Sequence, residues 1–303
     1  MVKTKKMVLC LALLVMAIIP IFAQQYDDEK DFEAVPDPAG KQGVRIIKYL
    51  GSKRAVNIPQ RIKNKPVIGI GEGAFKKKQL TSVTIPNTVT LIDCNAFESN
   101  ELTNIIIPNS VTRIHPFAFA YNLITSVTIP NSVIHLSGFN ENLITSVTIP
   151  NSVTIIGMNA FENNQLTSVT IPNTVELISV FAFAKNKLNN VTIPNGVTEI
   201  GGGAFYDNKL TSIIIPNSVT KIGTVAFVGN QITNVTIPNS ITEMGMIVFD
   251  GNHITSITIT TNNLQVRNGS SGGLPYEFVN IYQQNNWAGG TYRKDANNIW
   301  RKE

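Results

Sequence analysis

The chain has 303 residues and a formal net charge of +5, a length that suits two ordinary domains or one elongated array. Only 15% of its residues are charged, while Thr, Asn, Ile and Val are frequent, which favours strands and turns over long exposed helices. Of the two cysteines, Cys10 lies in a leading apolar run and Cys94 stands alone, so an internal disulfide framework is excluded and stability must come from packing.

Lys3, Lys5 and Lys6 precede an apolar run from Met7 to Ala23. This pattern predicts a cleaved export signal over residues 1–23. The run is short for a bilayer span, so no transmembrane segment is expected in the mature chain. Losing the three lysines lowers the formal charge from +5 to +2. Leu11 and Ala12 after Cys10 make that cysteine a poor lipid-attachment site.

Residues 24–40 hold Asp27, Asp28, Glu29, Asp31, Glu33 and Asp37, an acidic leader predicted to be disordered. Residues 41–78 read as an N-terminal cap with one degenerate repeat, Val56-Asn57-Ile58-Pro59. The cap is basic: Lys41, Arg45, Lys48, Lys53, Arg54, Arg61, Lys63, Lys65, Lys76, Lys77 and Lys78 face the single acid Glu72.

From residue 79 to 262 one unit recurs. Pro86, Pro108, Pro130, Pro150, Pro172, Pro194, Pro216 and Pro238 each follow an apolar residue and precede Asn, at steps of 22 residues except one of 20. The unit is L-x-x-V-x-I-P-x-x-V-x-x-I-x-x-x-A-F-x-x-N-x, as in Leu80, Val83, Ile85, Pro86, Val89, Ile92, Ala96, Phe97 and Asn100. Val83-Thr84-Ile85 has the period of a short strand with alternate residues inward. Proline, lacking a backbone donor, ends it. The other half, with apolar residues three and four apart, is expected to form a loose turn or short helical segment behind the strand. A single unit buries too little to offset its ordering entropy, so the copies must stack into a solenoid.

Two ladders run through the units. Phe75, Phe97, Phe119, Phe139, Phe161, Phe183, Phe205, Phe227 and Phe249 recur once each and predict a stacked aromatic spine. Asn100, Asn122, Asn142, Asn164, Asn186, Asn208, Asn230 and Asn252 stand two residues before each strand's first apolar residue, where a buried amide satisfies backbone groups of the neighbouring turn. The short unit Asn131–Pro150 keeps Ile144, Val147 and Ile149 but lacks two residues before Phe139, which predicts a tighter outer turn with the sheet unbroken. Phe117 and Phe181 lie off the inward frame and are read as outer-surface spots or as packing between turns.

After the repeats, residues 263–273 contain Gly269-Ser270-Ser271-Gly272-Gly273 and form a flexible joint. Residues 274–303 read as a C-terminal cap or attachment element. Tyr276–Trp287 has the pattern of a short amphipathic helix, and Thr291-Tyr292-Arg293 with Ile299-Trp300-Arg301 that of a hairpin across Asn297-Asn298.

The repeated LTSVTIPNSVTxIGxxAFxxN, seen from Leu166 through Ile171-Pro172-Asn173 and from Ile200-Gly201 to Ala204-Phe205, resembles the BspA-like family of bacterial leucine-rich repeats. The likeness covers about residues 56–262. It implies an α/β-type, mostly β solenoid: a right-handed leucine-rich-repeat coil with parallel strands on the concave face and a small C-terminal cap. It also implies a secreted or cell-surface protein that adheres to host extracellular matrix or cell-surface proteins. A periplasmic or envelope scaffold and a glycan-binding receptor are the alternatives, with anionic glycans among the partners considered.

In such a coil the residue between the two inward strand positions points onto the concave face. Those residues are Thr84, Ile106, Thr128, Thr148, Thr170, Thr192, Ile214, Thr236 and Thr258, the candidate binding surface. High β propensity alone also explains threonine there. Ile106 and Ile214 replace a hydroxyl with apolar surface and are the leading contact points. Arg54, Arg61, Lys63, Lys65, Lys76, Lys77 and Lys78 form a second candidate surface, either an anion-binding patch or a solvated end. Export disfavours nucleic acid as its partner.

No set of residues supports catalysis. His115, His135 and His253 are scattered without metal-ligand spacing and read as turn histidines. Gly201-Gly202-Gly203 lacks the lysine and long helix of a phosphate loop. Cys94 reads as a partly buried, inert thiol. No enzyme activity, cofactor or metal is expected.

Overall fold

A computed structural model of the chain describes residues 25–260, 274, 278, 284–285 and 288–303. The export signal, the Gly/Ser joint and most of the helix expected over Tyr276–Trp287 lie outside the described residues. The architecture is a mostly β solenoid with parallel strands and almost no helix.

Each coil has three sides. One carries the V-x-I strand, for example Val127–Thr128, paired in parallel with Val147–Thr148 of the next coil. The second begins after the Pro-Asn corner, where the Val111 N–H donates to the Pro108 carbonyl at 3.0 Å. The third is the turn leading through the Ala-Phe pair, after which the buried asparagine brings the chain back to the first side.

The second side departs from expectation. In place of a loose turn or helical segment it forms the longest ladder of the molecule, with two-residue strands such as Leu91–Ile92, Arg113–Ile114, His135–Leu136 and Ile155–Ile156 in a 12-stranded sheet. Spacings of three and four imitate a helix. The backbone groups nevertheless bond to the neighbouring coil, as in Thr112 N–H to the Thr90 carbonyl (2.9 Å) and His115 N–H to that of Ile92 (3.0 Å). The V-x-I side is less continuous: two short sheets and one of five strands, with isolated bridges at Ile106–Thr128 and Thr148–Thr170. A proline per coil withholds the donor that would extend each rung there.

The interior is one continuous apolar core. The nine spine phenylalanines are buried, with successive ring centroids 4.9–5.9 Å apart and planes within 4–19°, the offset stacking that aromatic quadrupoles favour. The spine extends further than the repeat pattern indicated. Tyr49 stacks on Phe75 at 5.3 Å, and Phe32 lies 5.5 Å from Tyr49.

The asparagine ladder knits the coils. Asn164 Oδ1 accepts from Ile144 N–H at 3.0 Å, while its Nδ2 donates to the carbonyls of Phe139 (2.8 Å) and Phe161 (3.2 Å). The short unit keeps the pairing: His135 pairs with both Arg113 and Ile155. Gly138, at φ +90°, takes its tighter corner, and a Cβ there would lie 2.5 Å from the His115 carbonyl oxygen, so only glycine fits.

Both ends are closed by antiparallel strands. The acidic leader, expected to be disordered, is ordered over its described residues: Phe32–Pro36 pairs antiparallel with Val44–Tyr49, the first strand of the long ladder's parallel run. Its acids find cations that composition alone does not assign to them. Asp27 pairs with Lys53, and Asp37 with Arg45 at 3.0 Å. At the far end Gly290–Lys294 pairs antiparallel with Ser256–Ile259 and then with Trp300–Lys302. Phe278 meets Tyr292 and Trp300 edge-on at 5.3 Å each.

Candidate binding surfaces

The alternation of the V-x-I strand sets the first surface. Val127 and Ile129 turn inward, so Thr128 must turn out, and parallel in-register pairing repeats that choice in each coil. Thr128, Thr148, Thr170, Thr192 and Thr236 are exposed. Ile106 and Ile214 are 83% and 80% exposed, the two most accessible large apolar side chains among the described residues. Five rungs separate them, about 24 Å at about 4.8 Å per rung. The row is shorter than the sequence indicated. Thr84 is half-buried and donates to Asn57 Oδ1 at 2.7 Å, and Thr258 is half-buried with its hydroxyl 3.1 Å from that of Thr291. The caps cover both ends, leaving Ile106 to Thr236 open.

Residues 53–167 and 154–270 match the model of the BspA type leucine rich repeat region, in six copies. The chain belongs to the BspA-type leucine-rich repeat family. A leucine-rich cell surface protein of Faecalibacterium prausnitzii A2-165 has a similar fold, with 23% identity, TM-score 0.50, and 77% of this chain and 75% of that one covered. A leucine-rich repeat protein of Bacteroides ovatus ATCC 8483 aligns at 23% identity and TM-score 0.49, covering 78% and 65%. The pneumococcal vaccine antigen PcpA aligns at 24% and 0.49, covering 76% and 66%. The chain thus spans just under two thirds of the length of the latter two. No curated protein matches the sequence.

The basic end of this BspA-type solenoid is divided. Arg54 is held by Glu101 and by the Gln79 carbonyl, and Lys76 pairs with Glu98 at 2.7 Å. Lys77 and Lys78 sit at the turn into the next coil, where Lys78 N–H donates to Asn100 Oδ1 at 3.1 Å. Arg61, Lys63 and Lys65 instead lie on a tight hairpin, Arg61–Ile62 against Lys65–Pro66, with Lys63 and Asn64 in the left-handed region. The patch of seven residues is therefore two surfaces.

The BspA-type register also brings together residues that linear spacing separates. Stacking at 22 residues sets His115 on Asp93, so His115 is not an isolated turn histidine. Asp93, Cys94 and His115 place possible metal-ligating atoms within 4.8 Å of one another. The carboxylate is already engaged, by Arg45 Nη1 at 2.8 Å on one oxygen and by His115 Nδ1 and Cys94 N–H, each 2.9 Å away, on the other. Burial, with Asp93 and Glu72 nearby, pushes the Cys94 thiol above its ordinary pKa, the opposite of what a nucleophile or thiolate ligand needs. The arrangement suits an ion-pair strut between cap and coils better than a metal centre.

Of the two off-frame phenylalanines, both are half-buried, and Phe181 packs over Gly203 of the next coil, where a Cβ would come within 2.2 Å of the ring. Phe181 therefore packs between turns.

Proposed function

We propose that this chain is an exported, non-enzymatic surface protein of a bacterium that binds other proteins, host matrix proteins among them, through the open row from Ile106 to Thr236. The observation that carries the reading is the exposure of Ile106 and Ile214 (83% and 80%). Each stands in a row of threonines whose hydroxyls Thr128, Thr148, Thr170, Thr192 and Thr236 have no hydrogen-bond partner among the described residues. Two desolvatable anchors in a polar, uncharged field match the anatomy of protein interfaces, where a few apolar contacts dominate affinity and polar neighbours set register. Membership of the leucine-rich repeat family supports protein binding in general. Among the described residues no helix is long and apolar enough to cross a membrane.

The test is saturable binding of the full chain to immobilised matrix proteins. Ile106→Ser with Ile214→Ser is expected to weaken binding about tenfold or more without lowering the unfolding temperature, because both side chains are already in water. Unchanged binding by the double variant would refute the role of this row, and the lack of any saturable binding would refute adhesion to matrix.

A further inference from the structure

The hairpin at Arg61 forms one wall of a surface cleft of about 510 Å3, lined by Pro36, Lys41, Gln42, Gly43, Arg61, Asn64, Lys65 and Pro66. Three cations and no carboxylate line it. Arg61 is oriented within the hairpin, since its Nε and Nη2 both donate to the Asn64 carbonyl, at 3.1 and 2.8 Å. Two of its five N–H groups are thereby used and the rest remain available. Three acids of the leader are engaged by cations outside this cleft. Asp27 is on Lys53, Asp28 on Lys30 and Asp37 on Arg45, and Glu29 accepts from the Lys63 N–H. Among the described residues Lys41, Arg61 and Lys65 have no acidic partner.

We propose that this cleft is a binding site for the sulfate groups of an acidic polysaccharide, separate from the protein-binding row. A guanidinium with free N–H groups presents the planar fork that oxyanions accept, and two mobile ammonium groups add charge around it. Charge alone would suit any polyanion. The remaining walls narrow the choice: the Gln42 and Asn64 amides both donate and accept, as sugar hydroxyls require, and the Pro36 and Pro66 rings offer apolar faces of the kind that pack on the C–H face of a pyranose. The cleft volume falls in the range that holds one small ligand or a short stretch of a polymer.

The experiment measures binding of a sulfated heparin octasaccharide, and of its desulfated counterpart, to the full chain by calorimetry at about 50 and about 500 mM sodium chloride. The sulfated form alone is expected to bind, with affinity falling about tenfold or more at the higher salt. Lys41→Gln/Arg61→Gln/Lys65→Gln is expected to weaken binding about tenfold or more, Arg61→Lys about threefold, and the control Lys77→Gln/Lys78→Gln less than about twofold. Lys41→Gln alone, an exposed residue of the turn before Val44, serves if the triple variant does not fold, and should weaken binding about threefold. Equal weakening by the control, unchanged binding by the triple variant, or tighter binding to phosphatidylserine vesicles or a single-stranded oligonucleotide than to the octasaccharide would overturn the proposal.

Discussion

Asp93 and His115 hold equivalent places in successive coils, and the carboxylate Oδ1 of the first lies 2.9 Å from the imidazole Nδ1 of the second. Through its other oxygen Asp93 accepts from Arg45, which also donates to Asp37. Four side chains thus tie the N-terminal cap to the first coils, at a position filled by Ser137, Gly157, Ser179 and Gly201 further along. Asp93→Asn keeps the shape and removes the charge. With the groups partly buried, a loss of about 2 kcal/mol is expected, read as a lower urea midpoint. An unchanged midpoint would mean that the strut adds no stability.

Asn164→Ala strips partners from Ile144 N–H and from the carbonyls of Phe139 and Phe161. Unpaired buried backbone groups are costly, so a destabilisation of about 3 kcal/mol is expected. Faster amide exchange at Ile144 should accompany it, and protection as in the parent chain would contradict the assigned bond.

Val225 holds φ at +56° and Ile247 at +45°, in the place where Asn95 and Asn159 stand in other coils. Branched side chains crowd the left-handed backbone, whereas asparagine tolerates it. Val225→Asn is expected to raise stability by about 1 kcal/mol, measured by thermal unfolding. A lower melting temperature would show that the packing of the half-buried valine outweighs the strain.

His135 has its pKa lowered by burial first, then by Arg113 and His115. The folded chain therefore holds this proton less tightly than the unfolded chain does. Stability should be full above the unfolded value of about 6.5 and fall as pH drops below it, until the folded value is passed. An NMR titration of the imidazole should give a midpoint below that of a free histidine, and His135→Gln should flatten this part of the pH–stability curve. A midpoint at or above the free value would reverse the sign.

The spine from Phe75 to Phe249, the asparagine ladder and the outward setting of Ile106 and Ile214 were all legible in the sequence, because each rests on a residue type recurring at one spacing. The left-handed turns were not, since Asn95, Phe117, Val225 and Ile247 share a backbone state and no side-chain chemistry. The second ladder was hidden because Val89 and Ile92 are spaced as a helix would space them, and only competition from the neighbouring coil decides against one. The contact of Asp93 with His115 was open to discovery, their separation being one repeat, but it requires asking what stacks rather than what is adjacent. Order in the leader depends on distant partners, Lys53 for Asp27 and Arg45 for Asp37, which acidic composition does not report.

Every joint between middle coils is chemically alike: ring on ring, amide to the backbone before and after. Excising one whole unit, such as residues 155–176, would bring Leu177 after Thr154 and create a junction of the same kind. The closures at the two termini would be untouched. Removing or adding a whole unit therefore changes the length of the solenoid without requiring any new kind of contact.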